Sequence, residues 1–232
     1  MPFFYMDYWY VILVIPAVIF SLIAQGMVTS TFNKYSKIMG RRGITGADAA
    51  RRILDANGLR HIRIEPVSGN LTDHFDPKAG VIRLSESVYG STSVAAIGVA
   101  SHEAGHAVQH GVGYFPIKVR TAIVPICNIG SNLAMPLVIL GLLLSFEGLA
   151  MLGVMLFGLA VVFQLVTLPV EFNASRRALK IIDDTGMLDD SELKGSKKVL
   201  TAAAMTYVAA MAVALANFLR LLFIVTGRSR RD

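Results

Sequence analysis

The sequence predicts a mainly α-helical membrane protein in which transmembrane helices accompany a small α+β domain with a short β-sheet. Of its 232 residues 54% are hydrophobic and only 16% charged, far more apolar than ordinary soluble usage. The excess is concentrated. Residues 8–28 carry no charge, and residues 121–170 carry only Glu147; both runs are long enough to cross a bilayer. Between them lies a polar stretch with helix and strand periodicities, which supplies the α+β part.

Composition also excludes some chemistry. The single cysteine, Cys127, sits inside an apolar run, so one chain has no disulfide framework and no multi-cysteine metal site. Any metal must be held by His and carboxylates. The formal net charge of +6 comes with no nucleic-acid motif, and a multi-span protein needs basic residues beside its spans. The charge reads as topological, and no nucleic-acid partner is expected.

Residues 1–28 read as an N-terminal transmembrane anchor, retained rather than cleaved because nothing basic precedes Lys34. Residues 29–120 form the polar part. There Thr45-Gly46-Ala47-Asp48 fits a capping box, followed by Ala49, Ala50, Ile53 and Leu54 on one face and Asn57-Gly58 as a stop. Residues 61–67 alternate polar and apolar, and residues 81–84 offer a second short strand, predicting a small sheet arranged as a hairpin. Residues 91–110 predict a helix that ends at Gly111-Val112-Gly113.

The block 121–170 is too long for one helix and breaks at Ser145-Phe146-Glu147-Gly148, predicting a transmembrane hairpin with spans near 123–146 and 149–170. Residues 171–199 predict a helix and linker. Residues 200–232 predict a C-terminal apolar helix with a basic tail; Arg220 interrupts it, and its Ala-rich first half would equally suit a buried core helix.

Basic residues set the orientation. Residues 29–120 hold twelve of the 22 Lys and Arg, residues 171–199 hold six, and the N-terminus and the 145–148 turn hold none. Both polar segments are therefore expected to face the cytoplasm. Arg220, Arg228, Arg230 and Arg231 fall on the outer side if the last helix crosses fully, against the rule.

The chemical signal is His102-Glu103-Ala104-Gly105-His106. Residues four apart share a helix face, so both imidazoles reach one ion while Glu103 approaches a water bound to it. This is the pattern of a zinc hydrolase with a zincin-like helix. Five His and six Glu in the chain give only about 0.003 chance occurrences of such a pattern. Zn2+ catalysis needs a third protein ligand. His110 lies ~12 Å along the helix from His102 at ~1.5 Å per residue, which suits helix-end packing or support of a ligand. His61 reads as a surface histidine, and His74 either orients substrate or makes a local hydrogen bond. Glu171 is the better third ligand. A chain that enters the membrane after the His helix, turns at Glu147 and returns brings Glu171 to the side where His106 lies.

At this point the residues resemble a known family. Leu71-Thr72-Asp73-His74-Phe75-Asp76-Pro77, Ile82-Arg83-Leu84-Ser85, Val88-Tyr89, Ser101 through Gln109, and Glu171-Phe172-Asn173-Ala174-Ser175-Arg176-Arg177-Ala178 look like the YugP-type neutral zinc metallopeptidases of bacterial membranes. More distantly, the order of parts is similar to HtpX and the CAAX prenyl proteases. The resemblance implies zinc on His102, His106 and Glu171, with Glu103 as the catalytic carboxylate. Those relatives usually carry Asp four residues after the ligand glutamate, and this chain has Ser175 in its place.

The expected activity is zinc-dependent hydrolysis of peptide or protein substrates at the cytoplasmic face of the cell membrane, with membrane lipids as neighbours. An oligomer or an accessory membrane partner is compatible with it. His74, Arg176, Arg177 and Tyr207 are candidate substrate or oxyanion contacts; Ser175 and His110 are candidates for supporting the ligands. The strand at 81–84 could receive an extended substrate as an added strand. Two rivals stand beside this reading: an intramembrane site-2-type zinc protease, and a non-catalytic scaffold whose zinc holds helices together.

Overall fold

The computed structural model describes residues 7–229, so Arg230 and Arg231 of the basic tail, and the side chain of Arg228, lie outside the described residues. The protein is a mainly α-helical membrane protein with a small three-stranded mixed sheet. Among the described residues four helical stretches are long and apolar enough to cross a membrane: Tyr10–Tyr35, Phe115–Leu143, Glu147–Asp184 and Asp190–Gly227. The chain divides into two compact units. One comprises Met1–Gln25, Val119–Leu168 and Thr206–Asp232, the other Gly26–Lys118 and Pro169–Met205.

In the first unit, called the membrane unit below, a π-helical turn at Tyr10–Val14 leads into α1 (Ile15–Tyr35). The apolar hairpin consists of α5 (Phe115–Leu143) and α6 (Glu147–Asp184), and its turn falls at the predicted break, with Ser145 in the left-handed region at φ 53°. The two arms approach closely because glycines face them. A Cβ on Gly153 would lie 2.7 Å from the Ala134 carbonyl oxygen, and one on Gly141 would collide with the Ala150 backbone. Where lipid replaces water as the competing environment, such small-residue contacts supply the packing that holds helices together.

One expectation about the long helices is corrected. α6 does not stop near residue 170 to let a new helix begin; it is continuous from Glu147 to Asp184, with Pro169 inside it. Glu171 is therefore a mid-helix residue. α7 (Asp190–Ser229) carries Arg220, which interrupts its apolar sequence, and the guanidinium is neutralised where it stands. Its Nη2 and Nε each lie 2.7 Å from Asp7 Oδ2, and the group sits 5.0 Å from the Tyr10 ring centroid. A paired, buried arginine is tolerated where an isolated one would not be.

The second unit is built on α2 (Gly46–Ala56), whose capping box at Thr45 and Asp48 forms as predicted and which stops at Asn57-Gly58. Its Ala49, Ala50, Ile53 and Leu54 enter a core with Ile82, Leu84, Val88 and Ile97. That core also takes the inner face of α4 (Val94–Gly111), which Ser93 caps by accepting from the Ala96 amide at 3.2 Å. α3 (Glu86–Tyr89) is a single turn leading toward it.

The sheet differs from the expected hairpin. β1 (Arg63–Val67) and β3 (Val81–Ser85) are parallel, and a third strand, β2 (His74–Asp76), pairs antiparallel with β3, giving the order β1-β3-β2. A turn after Asp76, where Asp76 Oδ1 accepts the Lys78 and Ala79 amides, sends the chain back. That makes β2, rather than β1, the hairpin partner of β3. β3 is thus the central strand with both edges occupied, so it cannot add a substrate strand. The free edges belong to β1 and β2.

Candidate metal centre

α4 carries His102, Glu103 and His106. His102 and His106 are one turn apart, with ring centroids 4.7 Å apart and planes at 84°. Glu171 enters from α6, only 2% exposed, and its Oε2 lies 3.2 Å from His102 Nε2 and 3.4 Å from His106 Nε2. Ligand atoms of the three residues all fall within 4.8 Å of one another, and among the described residues no other such group of His, Cys, Asp or Glu forms. Ligand atoms at ~2.0–2.2 Å around a tetrahedral zinc ion are separated by roughly 3.3–3.5 Å. The two carboxylate–imidazole separations, 3.2 and 3.4 Å, are close to that spacing, so two imidazoles and one carboxylate fit zinc with a fourth position left for water.

Helix proximity makes this convergence possible. A Cβ on Gly105 would sit 2.7 Å from the Ala174 carbonyl oxygen. Any larger residue there would force α4 and α6 apart. Gly105 lies between the two histidines in sequence, and Ala174 is three residues after Glu171, so the backbones are in close contact at the site itself.

The ligand rings are held from behind. His106 Nδ1 lies 3.0 Å from Gln109 Oε1, while Gln109 Nε2 donates to the Val170 carbonyl at 2.8 Å and to Asn173 Oδ1 at 3.0 Å. Because the amide nitrogen is committed to two acceptors, its oxygen must accept, so His106 Nδ1 carries the proton and Nε2 faces the cluster. Arg177 Nε donates to the same Asn173 oxygen at 2.7 Å, and its guanidinium lies over the Tyr114 ring at 5.8 Å. His102 Nδ1 lies 3.0 Å from Ser175 Oγ. Where the resemblance called for a carboxylate four residues after Glu171, a hydroxyl occupies the orienting position.

The electrostatics favour a cation. Burial opposes charge on His106, but the hydrogen bond to Glu171 and the negative charges of Glu103 and Glu171 outweigh it and raise its pKa above the ordinary histidine value. The field that favours a proton at Nε2 also favours a divalent ion. Asp73 adds to this field. Burial pushes its carboxyl above the usual carboxylate range, the Ser85 amide and hydroxyl pull it down, and the Glu103 charge raises it further.

The remaining sequence candidates are distributed as follows. His110 is not part of the cluster; its ring meets Phe75 edge to face at 5.5 Å. His74 is exposed on β2, with Nδ1 2.8 Å from the Thr72 carbonyl and Nε2 3.4 Å from Arg83 Nη1. Arg176 and Ser175 line an open groove between α6 and the start of α7. Tyr207 belongs to the membrane unit. Sequence reasoning missed Gln109, Asn173 and Asp73. Gln109 was within reach, since it lies three residues after His106 on the same helix face, whereas nothing local points to Asp73.

Comparison with known proteins agrees with this geometry. Residues 10–226 match the family described as "Putative neutral zinc metallopeptidase". The chain is 51% identical over 220 residues, 94% of its own length and 98% of the relative's, to the "Putative membrane protease YugP" of Bacillus subtilis (strain 168). No solved structure matches. With the family match running through both units and the relative aligned nearly end to end, the chain belongs to this family of membrane-associated neutral zinc metallopeptidases.

Proposed function

We propose that the protein is a zinc-dependent endopeptidase that cleaves protein substrates at the cytoplasmic face of the membrane. The observation that carries this reading is the convergence of His102, His106 and Glu171 within 4.8 Å, with Glu103 beside the two histidines on α4. Zinc, when bound, supplies the Lewis acidity that polarises the scissile carbonyl and acidifies the attacking water. Glu103 is half-buried and stands outside the His102–His106–Glu171 group, which supports a role as base rather than ligand. It takes the proton from that water and delivers it to the leaving amine. Gln109 and Ser175 hold the imidazoles in the orientation the ligands need.

Substrate enters along the groove of about 750 Å³ between α6 and α7. Ser175, which bonds His102, forms part of its wall and links it to the centre. Phe172, Leu179 and Leu193 give the groove apolar contact, and Arg176 stands in it beside Ser175. Of the proposed oxyanion donors Arg176 is the one that lines this groove, which supports it as the donor. Arg177 is committed to Asn173 and Tyr114, and His74 to its own turn. A scaffold role leaves Glu103 without a task, and α4 is not among the helices able to cross a membrane, which weighs against an intramembrane site.

The enzyme reading is tested with Glu103→Gln. This variant is expected to keep zinc and fold while losing a factor of about 10² to 10⁴ in cleavage of a casein-type substrate; wild-type cleavage rejects the mechanism. Sidedness is tested separately with reporter fusions. Fusions after residues 60 and 185 are expected to report cytoplasmic and one in the 145–148 turn external, and an external signal at residue 60 inverts the orientation.

A further inference from the structure

We propose that a second cavity, of about 500 Å³ between the end of α1 and the start of α7, binds the phosphate of an anionic phospholipid headgroup. It lies wholly within the second unit and takes no part in metal binding; it adjoins the substrate groove described above, sharing Lys197 and Thr201 with it. The inference rests on the membrane location of the chain and not on its hydrolytic activity.

Three exposed lysines line this cavity, Lys34 from α1 and Lys197 and Lys198 from α7. Among the described residues no carboxylate forms an ion pair with any of them; Lys34 has only the Tyr35 ring, 5.7 Å away. The cavity's three hydroxyls, on Ser30, Thr31 and Thr201, are likewise committed to no hydrogen bond among the described residues. Positive charge and free donors around an unfilled space are complementary to a phosphate, which lysine binds as a point charge.

The order of residue types along both helices specifies a lipid. On α1, Lys34, then Thr31 and Ser30, then Met27 line one face at helical spacing, passing from charge to hydroxyl to apolar toward the middle of the span. On α7 the same order appears in the opposite chain direction, Lys197 and Lys198 followed by Thr201 and Ala202. Met27 lies ~10 Å from Lys34 along the helix at ~1.5 Å per residue. That distance takes a bound molecule from headgroup depth into hydrocarbon. A phosphate at the lysines, a glycerol at the hydroxyls and an acyl chain running past Met27 follow this gradient.

The cavity also has a fixed wall. A Cβ on Gly195 would meet the Tyr35 ring at 2.7 Å, so α1 and α7 are in close contact beside it, and Tyr35 packs on the main core. The tendency of basic residues to collect beside membrane spans accounts for lysines near Lys34 and Lys198. It does not require them to line one space from two helices.

The test uses the full chain in phosphatidylcholine nanodiscs containing phosphatidylglycerol, with retained lipid read by native mass spectrometry after release. Wild type is expected to retain phosphatidylglycerol in preference to phosphatidylcholine. Lys34→Gln/Lys197→Gln/Lys198→Gln is expected to bind it about a hundredfold more weakly. The equally neutralised Lys37→Gln/Lys78→Gln/Lys118→Gln is expected to bind like wild type. Should the first variant fail to fold, Ser30→Trp fills the cavity without changing its charge and is expected to lose the lipid as well. Unchanged retention in either cavity variant, or equal retention of phosphatidylcholine by wild type, overturns the proposal. Displacement of the lipid by an equal concentration of inorganic phosphate also overturns it and reassigns the cavity to a soluble anion.

Discussion

Glu171 is a carboxylate at 2% exposure whose Oε2 lies between two imidazole nitrogens, a setting that only a shared proton or a cation satisfies. Glu171→Ala removes one of three protein ligands, and the variant is expected to lose most of its zinc on dialysis, whereas His110→Ala should keep about one zinc per chain. Metal analysis of the two purified proteins checks this, and metal loss in a folded His110→Ala protein would mean the third ligand has been misassigned. Gln109 acts one bond further out. Gln109→Leu leaves His106 Nδ1 without its acceptor and takes the side-chain donor from the Val170 carbonyl, and zinc affinity should fall about 10- to 100-fold by competition with a chelator, with the helical signal intact.

Helices α4 and α6 meet where Gly105 faces the Ala174 carbonyl, and this contact sets how far Glu171 stands from the histidines. Gly105→Ala keeps all three ligands and adds one methyl group. The expected cost is about 1–3 kcal/mol of stability from overpacking, together with weaker zinc binding, since the ligand atoms move apart. Chelator titration and thermal unfolding of the same preparation measure both effects. Unaltered zinc affinity would show that the helices part elsewhere without disturbing the site. The sheet contributes at this scale by placing Asp73, just before β2, where Ser85 of β3 holds its carboxylate and the Glu103 charge raises its pKa.

At the scale of the whole molecule, Asp7 and Arg220 join parts of the chain 213 residues apart, at 2.7 Å in the membrane unit. Breaking such a pair from one side leaves a buried charge unpaired and costs about 3–5 kcal/mol, whereas replacing both partners costs far less. Arg220→Met is therefore expected to lower the detergent Tm more than Asp7→Asn/Arg220→Met does, with zinc content unchanged in both. A double variant no more stable than the single would contradict this account of how α7 keeps an arginine inside an apolar helix.

Much of this architecture was legible because it is local. Uncharged runs specify spans, Thr45 and Asp48 specify a helix start, and histidines four apart on one face specify half of a metal centre, since each of these depends on residues within a turn or two of one another. Glu171 was reachable by one further step, from the way a hairpin returns the chain. What only the tertiary structure decided are contacts with no local period. They include β2 displacing β1 as the hairpin partner of β3, Ser175 taking the orienting position on His102 from 73 residues away, and Gln109 bonding the Val170 carbonyl across 61. The neutralisation of Arg220 by Asp7 belongs with them. In each case a polar or backbone group is satisfied by a partner that the chain brings close only when the core closes, and hydropathy patterns record which face is buried, not which polar atoms meet there.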